Sequence, residues 1–251
     1  MMRPELLERT RYEPNVPVED FMVPLLRRRL DEILEALPYA SPGFKVLDVG
    51  CGGQPFRRAI EEKRLSYVSV DAQDPRGIVD VVAEIDGELP RALFELGPFD
   101  FIMCTEVLEH VADWDAAFRN LSALLRDGGR LVVTCPHFYI LHEEPYDFWR
   151  PTIHALRASG IRHGLQAVSL EALGSAWDVL GTLLGANYKG ARAVRPSLTN
   201  RVLARVIDVC TGLLHRMLKK GWLQARVSWE NKSYPVYLSN VAVFSKSSAS
   251  D

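Results

Sequence analysis

The sequence predicts an α/β fold built on a mostly parallel sheet, and three observations predict it. Val46-Leu47-Asp48-Val49 runs straight into Gly50-Cys51-Gly52-Gly53, and a short apolar run before clustered glycines is a buried strand ending in a tight loop. A second run, Ser66 to Val70, ends on Asp71, 21 residues past Gly50. A third, Phe99 to Met103, turns directly into a helical pattern. Strands alternating with helical segments form βαβ units. The 251 residues, 47% of them hydrophobic, suffice for one substantial core, so 1–251 reads as a single domain.

The first loop carries the most chemistry. Glycine permits positive φ and close approach of the backbone to a ligand. A helix predicted from about Phe56 to Lys63 would set its N-terminus beside whatever the loop holds. That makes a cradle for a nucleotide-type cofactor. A phosphate-binding P-loop is excluded, because no Lys-Ser or Lys-Thr follows the glycines. A dinucleotide fingerprint needs a third glycine where this chain has Pro55.

The stretch Asp48-Val-Gly-Cys-Gly-Gly-Gln54 resembles motif I of the class I S-adenosylmethionine (SAM)-dependent methyltransferases, hydrophobic-hydrophobic-D/E-x-G-x-G-x-G. Gln54 stands in place of the last glycine, and the following Pro55-Phe56 is similar to a bacterial subgroup reading DVGCGxxP[YF]. The resemblance implies SAM as cofactor, S-adenosylhomocysteine (SAH) as product, and a loop in which Asp48, Gly50, Cys51, Gly52 and Gln54 meet the cofactor. It also implies a Rossmann-like seven-stranded sheet with helices on both faces and an antiparallel last strand.

Asp71, with Ala72 beside it, is placed to accept hydrogen bonds from ribose hydroxyls; the plain alternative is a turn or N-cap aspartate. Residues 79–90 resemble the family's third strand and adenine loop, DVVxDIxxLP. There Glu84 would accept from the adenine amine and the Ile85 N–H would meet the ring, but the loop is one residue longer and Asp86 competes for the role. FDFIMCTEVLEHV resembles the FDxVxxxxVLEHV signature of small-molecule methyltransferases, which implies Cys104 and Thr105 near the methionine part. Glu109 and His110 are harder to place, since a lone histidine at a helix start is more often a structural hydrogen-bonder than a base.

Around this core, residues 1–17 are polar and proline-punctuated, a loose arm. Glu19 to Leu37 has helical apolar spacing, a helix capping the sheet or a lid over the cofactor; arm and cap occupy 1–40. The core itself reads as 44–173 and 234–244. Asp113 to Leu125 is an amphipathic helix that Arg126-Asp127-Gly128-Gly129 stops, and Arg130 to Pro136 is a fifth strand. LLRDGGRLVVTCP resembles the family's LLxPGGxLxxxxP. Ile153 to Ser159 forms a helix ended by Gly160, Leu165 to Leu170 a sixth strand, and Tyr234 to Phe244 the antiparallel seventh.

Ligands of open α/β sheets sit outside the carboxyl ends of the strands, so residues 136–152 form the natural substrate wall. EPYDFWRPT resembles a PYDxxR[FY]T segment often associated with sugar or polysaccharide modification. His137, then His142 or Asp147, are the candidate general bases, because an alcohol acceptor must lose its proton. Tyr139, Tyr146, Trp149 and Arg150 are candidate substrate contacts, the arginine for a phosphate or carboxylate. The alternatives are aromatic packing and an i,i+3 ion pair between Asp147 and Arg150. The five-residue spacing of His137 and His142 fits no familiar ligand pattern, and no metal is expected.

A helical insertion at about 175–230 precedes the last strand. Its apolar stripe, Leu203, Val206, Ile207, Cys210, Leu213, Leu214 and Met217, is expected to pack on the sheet or on a second subunit of a homodimer. Ten Lys or Arg stand against two acids between Asn187 and Lys232, so residues 200–220 could instead rest on an anionic membrane or grip a phosphate- or lipid-linked acceptor.

A net charge of −2 argues against nucleic-acid partners. Scattered cysteines suit a reducing compartment, the charged start is unlike a secretory signal, and no apolar run reaches the ~18 residues of a membrane span. A cytoplasmic location follows. The expected activity is O-methylation of a small hydrophilic acceptor, sugar-containing or another natural-product metabolite. The alternatives are N- or C-methylation of a biosynthetic intermediate, and a non-catalytic SAM-binding partner subunit.

Overall fold

The computed structural model describes residues 10–195, 197–229 and 235–247. A 3-10 turn at Pro17–Glu19 leads into α1 (Met22–Glu35). Then come β1 (Lys45–Val49), α2 (Arg57–Glu62), β2 (Ser66–Asp71), β3 (Val81–Val82), α3 (Arg91–Leu96) and β4 (Phe99–Thr105). A 3-10 turn at Leu108–His110 precedes α4 (Trp114–Leu124), β5 (Leu125–Pro136), α5 (Ile153–Arg162) and β6 (Leu165–Leu173). The insertion holds α6 (Ala176–Ala186) and α7 (Leu198–Lys219), and β7 (Ser239–Lys246) closes the chain.

The seven strands lie in the order β3-β2-β1-β4-β5-β7-β6, with β7 antiparallel to both neighbours. Alternate residues of a strand face opposite sides, and helices cover both. Val46, Met103 and Val132 pack under Leu30, Leu34 and Ile60, whereas Leu47, Ile102 and Val133 pack under Phe118, Leu121 and Leu156. Strands buried on both faces read as continuous apolar runs, which is why β1 and β4 were legible. The strand order reverses between β1 and β4, and the crevice outside their carboxyl ends is where such sheets bind ligands.

Among the boundaries that differ from the sequence reading, three are instructive. Arg126–Gly129 does not separate α4 from the fifth strand, since β5 starts at Leu125 and carries these residues as an irregularity opposite Phe99 to Phe101, with Gly128 at φ +72°. Gly160 does not end α5, which runs on to Arg162; a Cβ there would lie 2.3 Å from the Phe244 ring, so the glycine allows the helix close to the sheet. The last strand begins at Ser239, and the expected start at Tyr234 lies outside the described residues.

Candidate active site

The glycine loop is held rigidly against β2. Gly50 has φ +65° and a Cβ there would meet Val107 Cγ2 at 2.2 Å, so the position requires glycine both for conformation and for space. The Gly50 and Cys51 N–H groups donate to the Val70 carbonyl at 2.8 and 3.3 Å, and Gly52 N–H donates to Asp71 Oδ2 at 2.9 Å. These three amides are thus spent on the fold.

Gln54 adopts φ +58°, which is why glycine is usual at this position. Its side chain turns away from the loop and donates to Ser69 Oγ at 3.1 Å and to the Ile78 carbonyl at 2.8 Å. It braces the loop and is not among the cavity-lining residues.

Asp71 is buried at the tip of β2, its Oδ1 accepting from Gln73 N–H at 3.1 Å and its Oδ2 from Gly52. Each carboxylate oxygen has a second lone pair, so both remain able to accept from vicinal ribose hydroxyls. Burial pushes the Asp71 carboxyl upward, opposed by these backbone donors. Asp48, under the loop, accepts from the Tyr67 hydroxyl at 2.7 Å. Burial lifts it from an ordinary 3.8 to about 7.

One cavity of about 860 Å³ joins these groups to a second wall. On the cofactor side it is lined by Asp48, Gly50, Cys51, Gly52, Asp71 and Ala72, followed by Glu84, Ile85, Asp86 and Thr105. Asp86 accepts from the Asp113 N–H at 3.2 Å, and the Ile85 carbonyl accepts from Asn120. Cys104 is fully buried in the core between Val49 of β1 and Val133 of β5 and is not among the lining residues. The N-terminal segment from Tyr12 to Val23 closes another side, so the cap residues also wall the cavity.

The opposite wall is built from the turn after β4 and the segment after β5. Glu106, at the end of β4, holds φ +54°, a strained conformation for a residue with a Cβ and one concentrated at functional sites. Its N–H is fixed by the Thr134 carbonyl and hydroxyl at 3.2 and 3.0 Å. Enclosure in the cavity raises the Glu106 carboxyl to about 7, opposed by the Thr134 hydroxyl.

The two segments are sewn together. The Glu109 carbonyl accepts from the N–H groups of Phe148 and Trp149 at 2.8 and 3.3 Å, and His110 Nδ1 meets the Tyr146 carbonyl at 2.9 Å. Glu109, His110, Tyr139, His142, Glu143 and Tyr146 all face the cavity.

Several expected site residues take other work. His137 Nδ1 bonds the Pro151 carbonyl at 2.9 Å and its ring stacks on Tyr237 with centroids 4.2 Å apart. It is outside the cavity lining and is unsuited to be the base. Asp147 is clamped by Arg150 through two contacts of 2.6 and 2.7 Å and accepts from His142 N–H at 2.9 Å. Its carboxyl lies below the ordinary range, because the guanidinium and the His142 N–H outweigh burial. Arg150 also donates to the Ile140 carbonyl at 2.7 Å.

The pair is therefore the i,i+3 structural clamp that folds the 139–150 segment, and neither member lines the cavity. Trp149 donates to the Val111 carbonyl at 2.8 Å and packs against Trp114, fastening the segment, and is not among the cavity-lining residues. His142 does face the cavity, but burial lowers it to about 4, leaving it a weak base. Glu106 stands in the x positions of the signature, and nothing in composition marks it.

A methyltransferase-domain family model matches residues 22–181. Among similar proteins is the ubiquinone biosynthesis O-methyltransferase of Xanthomonas campestris pv. campestris, 32% identical over 116 residues, covering 42% of this chain and 48% of that protein. The enzyme of the same name from Chelativorans sp. is 26% identical over 196 residues, 73% of this chain and 67% of that one. The chain thus spans about half the length of the first curated relatives it matches.

Among solved structures, a SAM-dependent methyltransferase from Archaeoglobus fulgidus superposes with a TM-score of 0.54 at 16% identity, covering 91% of this chain and 97% of that one. The O-methyltransferase of a trans-AT PKS multienzyme of Brevibacillus brevis, solved with SAH, gives a TM-score of 0.54 at 15% identity, covering 92% and 76%. The glycine loop, the buried Asp71 carboxylate and the open crevice fit SAM. The chain belongs to the methyltransferase-domain family, and its fold is that of solved SAM-dependent methyltransferases.

Proposed function

We propose that the protein transfers the methyl group of SAM to a hydroxyl of a small hydrophilic acceptor, sugar-containing or another biosynthetic metabolite. One observation carries this reading: the cofactor cradle and the wall bearing Glu106, Glu109 and His110 share a single cavity. The O-methyltransferase names of the relatives and of the Brevibacillus structure support oxygen as the methylated atom.

When bound, SAM supplies an electrophilic methyl on a sulfonium and leaves as the neutral thioether SAH. The chain contributes alignment and proton handling. Asp71 orients the ribose end. Glu106, raised to about 7, accepts the hydroxyl proton as the O–CH₃ bond forms and the S–CH₃ bond breaks, its carboxyl matched to a neutral working pH. Tyr139 and Tyr146 border the acceptor space.

A mass-spectrometric screen of hydroxylated acceptors for a gain of one CH₂ tests the reading. Glu106→Gln is expected to lower turnover by about 10² to 10⁴ with SAH binding kept. Unchanged turnover in that variant, or methylation confined to amines, would refute it.

A further inference from the structure

The second wall contains a group that the methyl-transfer reading leaves unexplained. The Glu109 side chain is only 1% exposed, and neither carboxylate oxygen has a hydrogen-bond partner among the described residues. A buried carboxylate without partners costs several kcal/mol. Protonation would cancel the charge but leave a buried O–H without an acceptor, which is itself unfavourable. Beside it stand the Cys135 thiol, a weak donor, and two imidazoles. The Glu109 oxygen and ring nitrogens of His110 and His142 lie within 4.8 Å of one another. His110 Nε2 is 3.9 Å from Glu109 Oε1 and 4.0 Å from Glu143 Oε2, too far for hydrogen bonds.

We propose that Glu109, His110 and His142 form a binding site for a divalent transition-metal cation, whose remaining coordination positions face the cavity. Two imidazoles with one carboxylate is a donor set that suits zinc or manganese better than calcium or magnesium, which favour oxygen. The supporting shell is already in place. The Tyr146 carbonyl fixes His110 through Nδ1 and leaves Nε2 turned toward Glu109, as ligating histidines require. His142 is oriented by Asp147, 3.3 Å from its Nδ1, and Asp147 is held by Arg150.

This explains why an ion pair in the 139–150 segment is so tightly built: Asp147 and Arg150 are positioning residues. Sequence spacing concealed the set because two ligands come from the turn after β4 and the third from the segment after β5.

Resting on the O-methyltransferase reading, the cation would hold the acceptor oxygen beside Glu106. Its test does not depend on that reading. Chelator-treated protein is titrated calorimetrically with Zn²⁺, Mn²⁺ and Mg²⁺ in the absence of cofactor, and each protein is separately titrated with SAH. One Zn²⁺ or Mn²⁺ per chain is expected. Glu109→Gln, His110→Gln and His142→Gln should each weaken binding by at least about tenfold, while His137→Gln leaves it unchanged.

SAH binding reports that each variant is folded. Absence of a saturable heat with both Zn²⁺ and Mn²⁺ overturns the inference, as does wild-type affinity in the His110→Gln/His142→Gln double variant or a preference for Mg²⁺. Protein that binds SAH but no transition metal removes this inference alone. Protein that binds metal but not SAH keeps the site and removes the methyltransferase reading.

Discussion

At the carboxyl end of β1, shape follows from backbone constraint: Gly50 sits at φ +65° with Val107 packed where a Cβ would be. In α7 of the insertion, shape follows from a partner distant in sequence. His215 Nε2 lies 3.2 Å from the Pro17 carbonyl, Lys219 pairs with Asp20 at 2.7 Å, and Phe21 meets His215 edge-on. The buried residues of α7 are Gly212, His215 and Leu218.

The apolar stripe, expected to pack on the sheet or on a second subunit, faces mostly away from the sheet in the single chain, with Val206 at 50% exposure, Leu203 at 56% and Leu213 at 53%; among the described residues only Leu214 of that stripe joins the core. A local constraint leaves a signature in consecutive residues. A docking face made of a glycine, a histidine and a carbonyl 198 residues away does not.

The comparison can be broken most forcefully at Gly50. Gly50→Ala adds a Cβ into Val107 at positive φ, and urea denaturation should show a loss of about 3 kcal/mol or more, with SAH binding abolished. Asp71→Asn comes next, weakening SAH binding by about 10- to 100-fold, the worth of charged hydrogen bonds to the ribose, with little change in fold. The insertion should be sensitive where no motif exists. A Cβ at Gly185 would lie 2.3 Å from the Pro17 carbonyl, so Gly185→Ala should cost about 1–3 kcal/mol.

Titration sharpens the contrast further. The Asp48 carboxyl rises from 3.8 to about 7 on folding. Between those values the folded chain keeps a proton that the unfolded chain has lost. This group therefore makes stability fall as pH rises from about 4 to 7, and its effect is constant above that. Asp48→Asn should flatten the urea midpoint across this window. Smallest is the exposed stripe: Val206→Ser and Ile207→Ser should each change monomer stability by less than about 0.5 kcal/mol, and a larger loss at low protein concentration would show that the face is covered.

The legible parts of the fold are those where residue type and position coincide. β1, β2 and β4 are apolar runs buried on both sides, and Asp71 stands buried at a strand tip, accepting from Gly52 and Gln73. Gly160 misled because a glycine that admits Phe244 looks identical in sequence to one that stops a helix. In the site, His137 stands immediately after β5, where a base would be expected, yet Pro151 and Tyr237 claim it. Glu106 and the Glu109–His142 pairing depend on how the turn after β4 meets the segment after β5, a contact carried by backbone bonds to the Glu109 carbonyl that no side-chain pattern announces. Among the described residues no helix is long and apolar enough to cross a membrane.

The most direct test of the central claim, one cavity with a cofactor end and an acceptor end, is SAH calorimetry on wild type, Asp71→Ala and Glu106→Gln beside a turnover assay. The account predicts a single SAH site per chain, lost in Asp71→Ala but kept in Glu106→Gln, with turnover lost in both. SAH binding that survives in Asp71→Ala at wild-type strength would contradict it.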